Sequence, residues 1–175
     1  SRLLPRMLLD IQNRGQLAAG MTSYNNRRDQ LIDTHKDIGA VCEVFRMSHS
    51  GKRESLMQEY AGRAAIGHVR YATCGRDDRS YAQPFERHHI KKHTWFSFAF
   101  NRQLANYHEL RTKLLGDDNN YLARETDTEV MMHLFCRTLK GDRQPPLVDV
   151  CRQLAEHFDG AYSLVFLDAL GNMMV

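Results

Sequence analysis

Two segments, IGHVRYATCG at Ile66–Gly75 and WFSFAFNRQLANY at Trp95–Tyr107, decide how this chain reads; DDRSYAQPF at Asp77–Phe85 and a basic run lie between them. Ala64–Tyr71 and Thr94–Asn101 have the composition of strands. The second alternates, with Phe96, Phe98 and Phe100 on one face and Trp95, Ser97, Ala99 and Asn101 on the other. Each strand ends in groups a site can use: Arg70 and Tyr71 on the first, Asn101 on the second. Side by side, the two strands would bring a guanidinium and an amide to one small polar ligand. The guanidinium fork suits both oxygens of a carboxylate. The amide NH2 can donate to an oxyanion. The same residues also read structurally, Arg70 as a surface or ion-paired arginine and Asn101 as a turn residue.

Outward from this centre, Pro5–Asn13 reads as a helix with Pro5 in its first turn and Gly15 at its exit. Leu17–Tyr24 reads as a small-residue strand, broken by Asn25-Asn26, and Leu31–Thr34 as a short strand. Gly39–Phe45 suits a turn of helix and Ser48–Lys52 a loop. Beyond the central strands, Tyr107–Leu115 reads as a helix with Leu110, Leu114 and Leu115 on one side, and Gly116–Asn120 as a polar loop. A helix starting at Thr126 or Asp127 carries Val130, Met131, Leu134, Phe135 and Leu139 at helical spacing, with Gly141 as its stop. Pro145-Pro146 opens a helix over Leu147–Phe158. Ala161–Asp168 reads as a strand, Ala169–Asn172 as a turn and GNMMV as the second arm of a hairpin. With no long crossover-linked βαβ unit, this order favours an α+β fold with antiparallel sheets.

Composition narrows the class. The chain has 175 residues, 42% of them hydrophobic, which is one domain with a proper core. No apolar run approaches a membrane span, and the net charge of +3 requires no nucleic-acid partner. Cys42, Cys74, Cys136 and Cys151 form no CxxC pair and read as free thiols of a reduced, cytoplasmic protein. Cys42, Cys136 and Cys151 lie in apolar patterns that face a core. His88, His89 and His93 have poor spacing for zinc, and Arg87–His93 reads as a solvated hairpin loop. Both Met131–Met132 and Met173–Met174 read as core. No metal is expected.

IGHVRYAT, AQPF, FAFN-x-x-LANYHELR and TDTEV, with LLDIQNRGQLAAG at Leu8–Gly20 upstream, resemble in order and spacing the class II glutamine amidotransferases. The likeness is to the glutamine phosphoribosylpyrophosphate amidotransferase branch of that family. It runs over nearly all of Ser1–Val175. It implies the four-layer αββα sandwich of N-terminal-nucleophile hydrolases, apparently truncated at both ends, with its first strand and C-terminal part missing. It implies glutamine as substrate: a thiol attacks the side-chain amide, ammonia leaves, and water releases glutamate. The ammonia would pass to an acceptor-synthase domain, with phosphoribosylpyrophosphate as acceptor in purine synthesis. The resemblance further implies a homo-oligomer, no cofactor in this domain, no nucleic-acid partner and no membrane partner.

Residue by residue, the resemblance assigns Arg70 to the substrate's α-carboxylate and Asp127 to its α-ammonium. Asp127 also suits a helix N-terminus. Asn101 becomes the oxyanion donor, Tyr71 the start of a covering loop that runs to Phe85, and Arg14 a brace for the nucleophile's strand, or else a helix C-terminal cation. The sequence departs from the family twice. The nucleophile is a cysteine at the mature N-terminus, whereas this chain opens Ser1-Arg2-Leu3-Leu4. The backbone N–H after the asparagine completes the oxyanion hole from a glycine, and here it belongs to Arg102, whose side chain crowds a tight site. These departures support an alternative, a non-catalytic amidotransferase-like domain that binds glutamine or a protein partner. Cys74, on a loop with no base beside it, is a poor substitute nucleophile.

Overall fold

The computed structural model describes residues 1–71, 78–101, 103–116, 122 and 126–175. Its strands form two antiparallel sheets among these residues. In the first, β2 (Ile32–Ile38), β1 (Ala18–Tyr24) and β3 (Ala64–Arg70) lie in that order. Ala18 sits opposite Ile38 on one side and Arg70 on the other. In the second, β4 (Phe85–Arg87), β5 (Phe96–Asn101), β6 (Ser163–Asp168) and β7 (Met173–Met174) follow one another. Asn101 faces Ser163 across the ladder, and Met174 faces Phe166.

Side-chain alternation explains why these sheets stack. On β1 and β3, Ala19, Met21 and Val69 face outward into a core with Leu8, Val41, Val44, Phe45 and Met57. That core is roofed by α1 (Leu4–Asp10), α2 (Val41–Val44) and α3 (Ser50–Glu59). On the second sheet Phe96, Phe98, Phe100 and Phe166 face the opposite way. They pack with Leu110, Leu114, Val130, Met131, Phe135, Val150 and Leu154. These come from α4 (Tyr107–Leu115), α5 (Asp127–Thr138) and α6 (Leu147–His157). Phe96, Phe135 and Phe166 form a ring cluster with centroids 5.1–5.4 Å apart, close enough for each pair to add about 0.5–1.5 kcal/mol beyond simple burial. The layers are helix, sheet, sheet, helix, the αββα architecture that the resemblance implied.

The seam between the sheets is small and polar. Thr22 Oγ1 lies 2.8 Å from Thr34 Oγ1 and 2.8 Å from Ser97 Oγ. Thr34 then donates to Glu86 at 2.5 Å. β5 is therefore buried on both faces: its phenylalanines meet helices, and its small residues meet the first sheet.

Several sequence expectations need correction. β3 and β5 belong to different sheets and face each other across the seam; they are not side-by-side neighbours. Ser48–Lys52 is not a loop throughout, because α3 begins at Ser50. Its sequence hides it: Met57 is its one buried residue, so no apolar stripe marks the helix. β2 runs four residues beyond the expected Thr34, through His35, Lys36 and Asp37 to Ile38. A strand at a sheet edge tolerates such charged residues. β4 is an additional strand. Leu115 and Met173 are exposed. The run Arg87–His93 is only partly solvated, since His93 is buried and its Nε2 lies 3.2 Å from the Gly141 carbonyl. Cys42, Cys136 and Cys151 are partly buried, and burial pushes the Cys136 thiol up to about 11.

Candidate functional site

Arg70 closes β3 on the face that looks into the seam, and it is nearly buried at 8% exposure. Its backbone is held from both sides. Leu17 N–H donates to the Arg70 carbonyl at 3.1 Å. Gly15, from the NRGQ segment, packs so closely that a Cβ there would lie 2.4 Å from the Arg70 carbonyl carbon and 2.7 Å from Tyr71 N. That close approach is why the position takes glycine. Above the guanidinium sits the Tyr81 ring, with Arg70 Cζ 5.5 Å from its centroid, a geometry that attracts a cation to an aromatic face.

Two residues after Tyr81, the side chain of Gln83 reaches the other sheet. Its Oε1 accepts from Phe100 N at 2.7 Å, and its Nε2 donates to Phe100 O at 2.9 Å. Phe100 immediately precedes Asn101. The Asn101 side chain is exposed and has no hydrogen-bond partner among the described residues. Three residues on, Leu104 N–H donates to Asp127 Oδ2 at 2.9 Å. Asp127 opens α5, yet its carboxylate reaches across to Leu104, and Oδ1 carries no partner among the described residues. Burial raises the Asp127 pKa, and the Leu104 N–H and the charge of His108 partly offset this. Three contacts, Arg70 with Tyr81, Gln83 with Phe100 and Leu104 with Asp127, are joined by short stretches of chain, and Asn101 follows Phe100 directly. The Asn101 amide and Asp127 Oδ1 have no partner among the described residues, and the Arg70 guanidinium is nearly buried.

The other expected residues are placed less closely. Tyr71 directly follows Arg70 and is 70% exposed. Arg14 is exposed in a 3-10 turn at Gln12–Arg14, where its backbone N–H donates to the Ile11 carbonyl at 2.9 Å and its side chain makes no hydrogen bond among the described residues; the close contact with β3 comes from its neighbour Gly15. Arg102, Cys74 and the Ala72–Asp77 part of the expected covering loop lie outside the described residues. The remainder of that loop is fastened rather than free. Arg79 Nε donates to Lys36 O at 2.9 Å, and Lys36 Nζ donates to Ala82 O and Pro84 O at 2.6 and 3.0 Å.

Ser1 is not at this site. Its amino group donates to Gly62 O at 3.2 Å and its Oγ accepts from Gly62 N at 2.8 Å. Gly62 precedes the opposite end of β3, about 20 Å from Arg70 at roughly 3.3 Å per strand residue. The three histidines disperse: His88 bonds Glu86, His89 bonds Thr94, and His93 lies against Gly141. Among the described residues no three His, Cys, Asp or Glu side chains converge as metal ligands, and no helix is long and apolar enough to cross a membrane. An open groove lined by Thr34, Lys36, Arg79, Ser80, Glu86 and His88 contains none of Arg70, Asn101 and Asp127.

Sequence spacing did not single out Tyr81 or Gln83, and it read Gly15 only as a helix exit. The resemblance marked AQPF and NRGQ as blocks; which side chain in each mattered emerged only from contacts.

Residues 18–143 match the glutamine amidotransferase domain family. The chain belongs to that family. An amidophosphoribosyltransferase of Methanothermobacter thermautotrophicus is 33% identical over 167 residues, covering 91% of this chain and 31% of that protein. The Escherichia coli amidophosphoribosyltransferase is 34% identical over 137 residues, covering 78% and 25%. The solved glutamine phosphoribosylpyrophosphate amidotransferase of B. subtilis, complexed with ADP and GMP, superposes with a TM-score of 0.69 at 26% identity, over 94% of this chain and 33% of that one. This amidotransferase domain spans a quarter to a third of the length of these relatives.

Proposed function

We propose that this domain hydrolyses the side-chain amide of glutamine to glutamate and ammonia. The ammonia passes to a synthase domain in the full protein, with phosphoribosylpyrophosphate as its acceptor. One observation supports this: a nearly buried cation ends β3, an open amide ends β5, and a carboxylate with one uncommitted oxygen opens α5 and is held by Leu104, three residues beyond that amide. A free amino acid presents a carboxylate and an ammonium, and this set offers a partner for each.

In this reading Arg70 pairs with the α-carboxylate through its fork. Asp127, with Oδ2 committed to Leu104, offers Oδ1 to the α-ammonium. The substrate's side-chain carbonyl then lies toward Asn101, whose NH2 donates to the oxyanion formed when the carbonyl is attacked. The backbone N–H of Arg102 serves as second donor. The attacking group is a cysteine thiolate at a mature N-terminus, with its own α-amine as base; Ser1, bound to Gly62, does not act in its place. The domain needs no cofactor for this chemistry, and it works in a reducing, cytoplasmic setting within a homo-oligomer.

The test uses the full-length protein and an ammonia-release assay. Removing a bidentate charge-assisted contact in Arg70→Ala is expected to raise the KM for glutamine by about 100-fold, with Arg70→Lys intermediate. An unchanged KM in Arg70→Ala overturns the site. Wild-type protein that binds glutamine but releases no ammonia supports the non-catalytic alternative.

A further inference from the structure

We propose that Arg79–Pro84 is a coupling segment with two separable outputs: Tyr81 positions Arg70 for substrate binding, and Gln83 positions Asn101 for turnover. This rests on the glutaminase reading and adds two positioning residues to it.

The segment is fixed to the first sheet. Lys36 on β2 donates to the carbonyls of Ala82 and Pro84, and Arg79 donates back to the Lys36 carbonyl. Ala82 is fully buried. The Gln83 carbonyl presses on β1 where Gly20 leaves room; a Cβ on Gly20 would lie 2.3 Å from that oxygen. A segment so held can transmit position through its side chains.

Gln83 does so toward the second sheet for a reason visible in the register. β4 pairs with β5 as Arg87 with Phe96, Glu86 with Ser97 and Phe85 with Phe98. Continuing the ladder would set Gln83 against Phe100, but β4 stops at Phe85, beside Pro84, which has no N–H to donate. The Gln83 side-chain amide stands in for the missing main-chain partner, donating to Phe100 O and accepting from Phe100 N. The last turn of β5 before Asn101 is therefore clamped from this side by one side chain. Because Asn101 has no side-chain partner of its own among the described residues, its direction follows from the backbone that Gln83 holds. Tyr81 acts on the first sheet instead, with its ring against the guanidinium of a nearly buried Arg70. Arg70 meets the ground-state substrate, whereas Asn101 meets charge that develops during reaction. Loss of the first changes KM, and loss of the second changes kcat.

The experiment measures glutamine-dependent ammonia release by the full-length protein, with kcat normalised to the folded fraction. Tyr81→Leu is expected to raise KM about tenfold with kcat within about twofold, and Tyr81→Phe, which keeps the ring, to restore KM. Gln83→Met is expected to lower kcat about tenfold with KM nearly unchanged, and Gln83→Glu, which can still accept from Phe100 N–H, to fall between. Lys36→Met, which loosens the whole segment, should move both constants. If Tyr81→Leu and Gln83→Met lower kcat alike with KM constant, the residues are merely structural and the split is overturned. A wild-type protein that releases no ammonia overturns both the split and the glutaminase reading beneath it.

Discussion

His68 shows how a single residue of the central motif acquires a property its neighbours impose. It lies two residues before Arg70 on the same face of β3, opposite Gly20. Its Nδ1 is fully enclosed and unpartnered among the described residues. Burial, with a smaller contribution from the Arg70 charge, pulls its pKa down from 6.5 to about 4. The folded protein therefore holds this imidazole neutral where the unfolded chain would protonate it. Since the unfolded state binds more protons between those values, stability rises with pH through that window. It is complete above about pH 6.5 and is lost progressively as pH falls toward 4. The residue as a whole is half-buried, so the effect is expected to be on the order of 2 kcal/mol. Denaturant melts across this range should show the slope, and His68→Asn should flatten it; an unchanged slope would reject the assignment. Keeping His68 neutral also leaves Arg70 as the cation that meets a carboxylate.

Among the elements, local stability follows packing rather than helical or extended character. β5 is buried from Phe96 to Phe100 and clamped from both sides, by β4 and Gln83 on one edge and by β6 on the other. α3 is longer, but it places one residue, Met57, in the core. Segments with few buried apolar contacts open at lower free energy. Amide hydrogen exchange is therefore expected to be slowest along β5 and β6 and markedly faster along α3, with α5 intermediate to slow. Equal protection of α3 and β5 would contradict this account of where the stability lies. The same contrast explains which elements were legible. α4, α5 and α6 show apolar residues at helical spacing, so their cores could be read from sequence. α3 lacks the stripe, and the latter half of β2 carries charges that an edge position tolerates.

At the scale of the whole molecule, a polar contact joins the sheets. Thr22 on β1 and Ser97 on β5 meet at 2.8 Å in the seam, both buried. Thr22 also meets Thr34. A buried hydroxyl left without its partner costs more than the bond contributes when made. Thr22→Val and Ser97→Ala are each expected to destabilise by about 1–2 kcal/mol, with a coupling in the double variant of about 1 kcal/mol. Purely additive losses in that cycle would show that the sheets are held without this contact. Arg70 and Asn101 end strands of the two different sheets that the seam joins, so in the proposed glutaminase its rigidity bears on function.

Much of the domain was determined by its sequence alone. Apolar spacing placed α4, α5 and the central strands, and proline or glycine signals at the ends marked α1 and α6, because burying a stripe or a face and capping a helix are local properties of residue order. The resemblance carried by the motifs implied the αββα architecture, which the fold bears out, and proposed Arg70, Asn101 and Asp127 as site residues. Only the tertiary structure decided that β3 and β5 face one another rather than pair, that Gln83 completes the β5 ladder, that Tyr81 lies on Arg70 and that Gly15 backs its carbonyl. Each of these depends on contact between segments distant in sequence. No pattern within a segment specifies which distant backbone carbonyl or ring it will meet, since that is set by how the two sheets stack once their outer faces are buried.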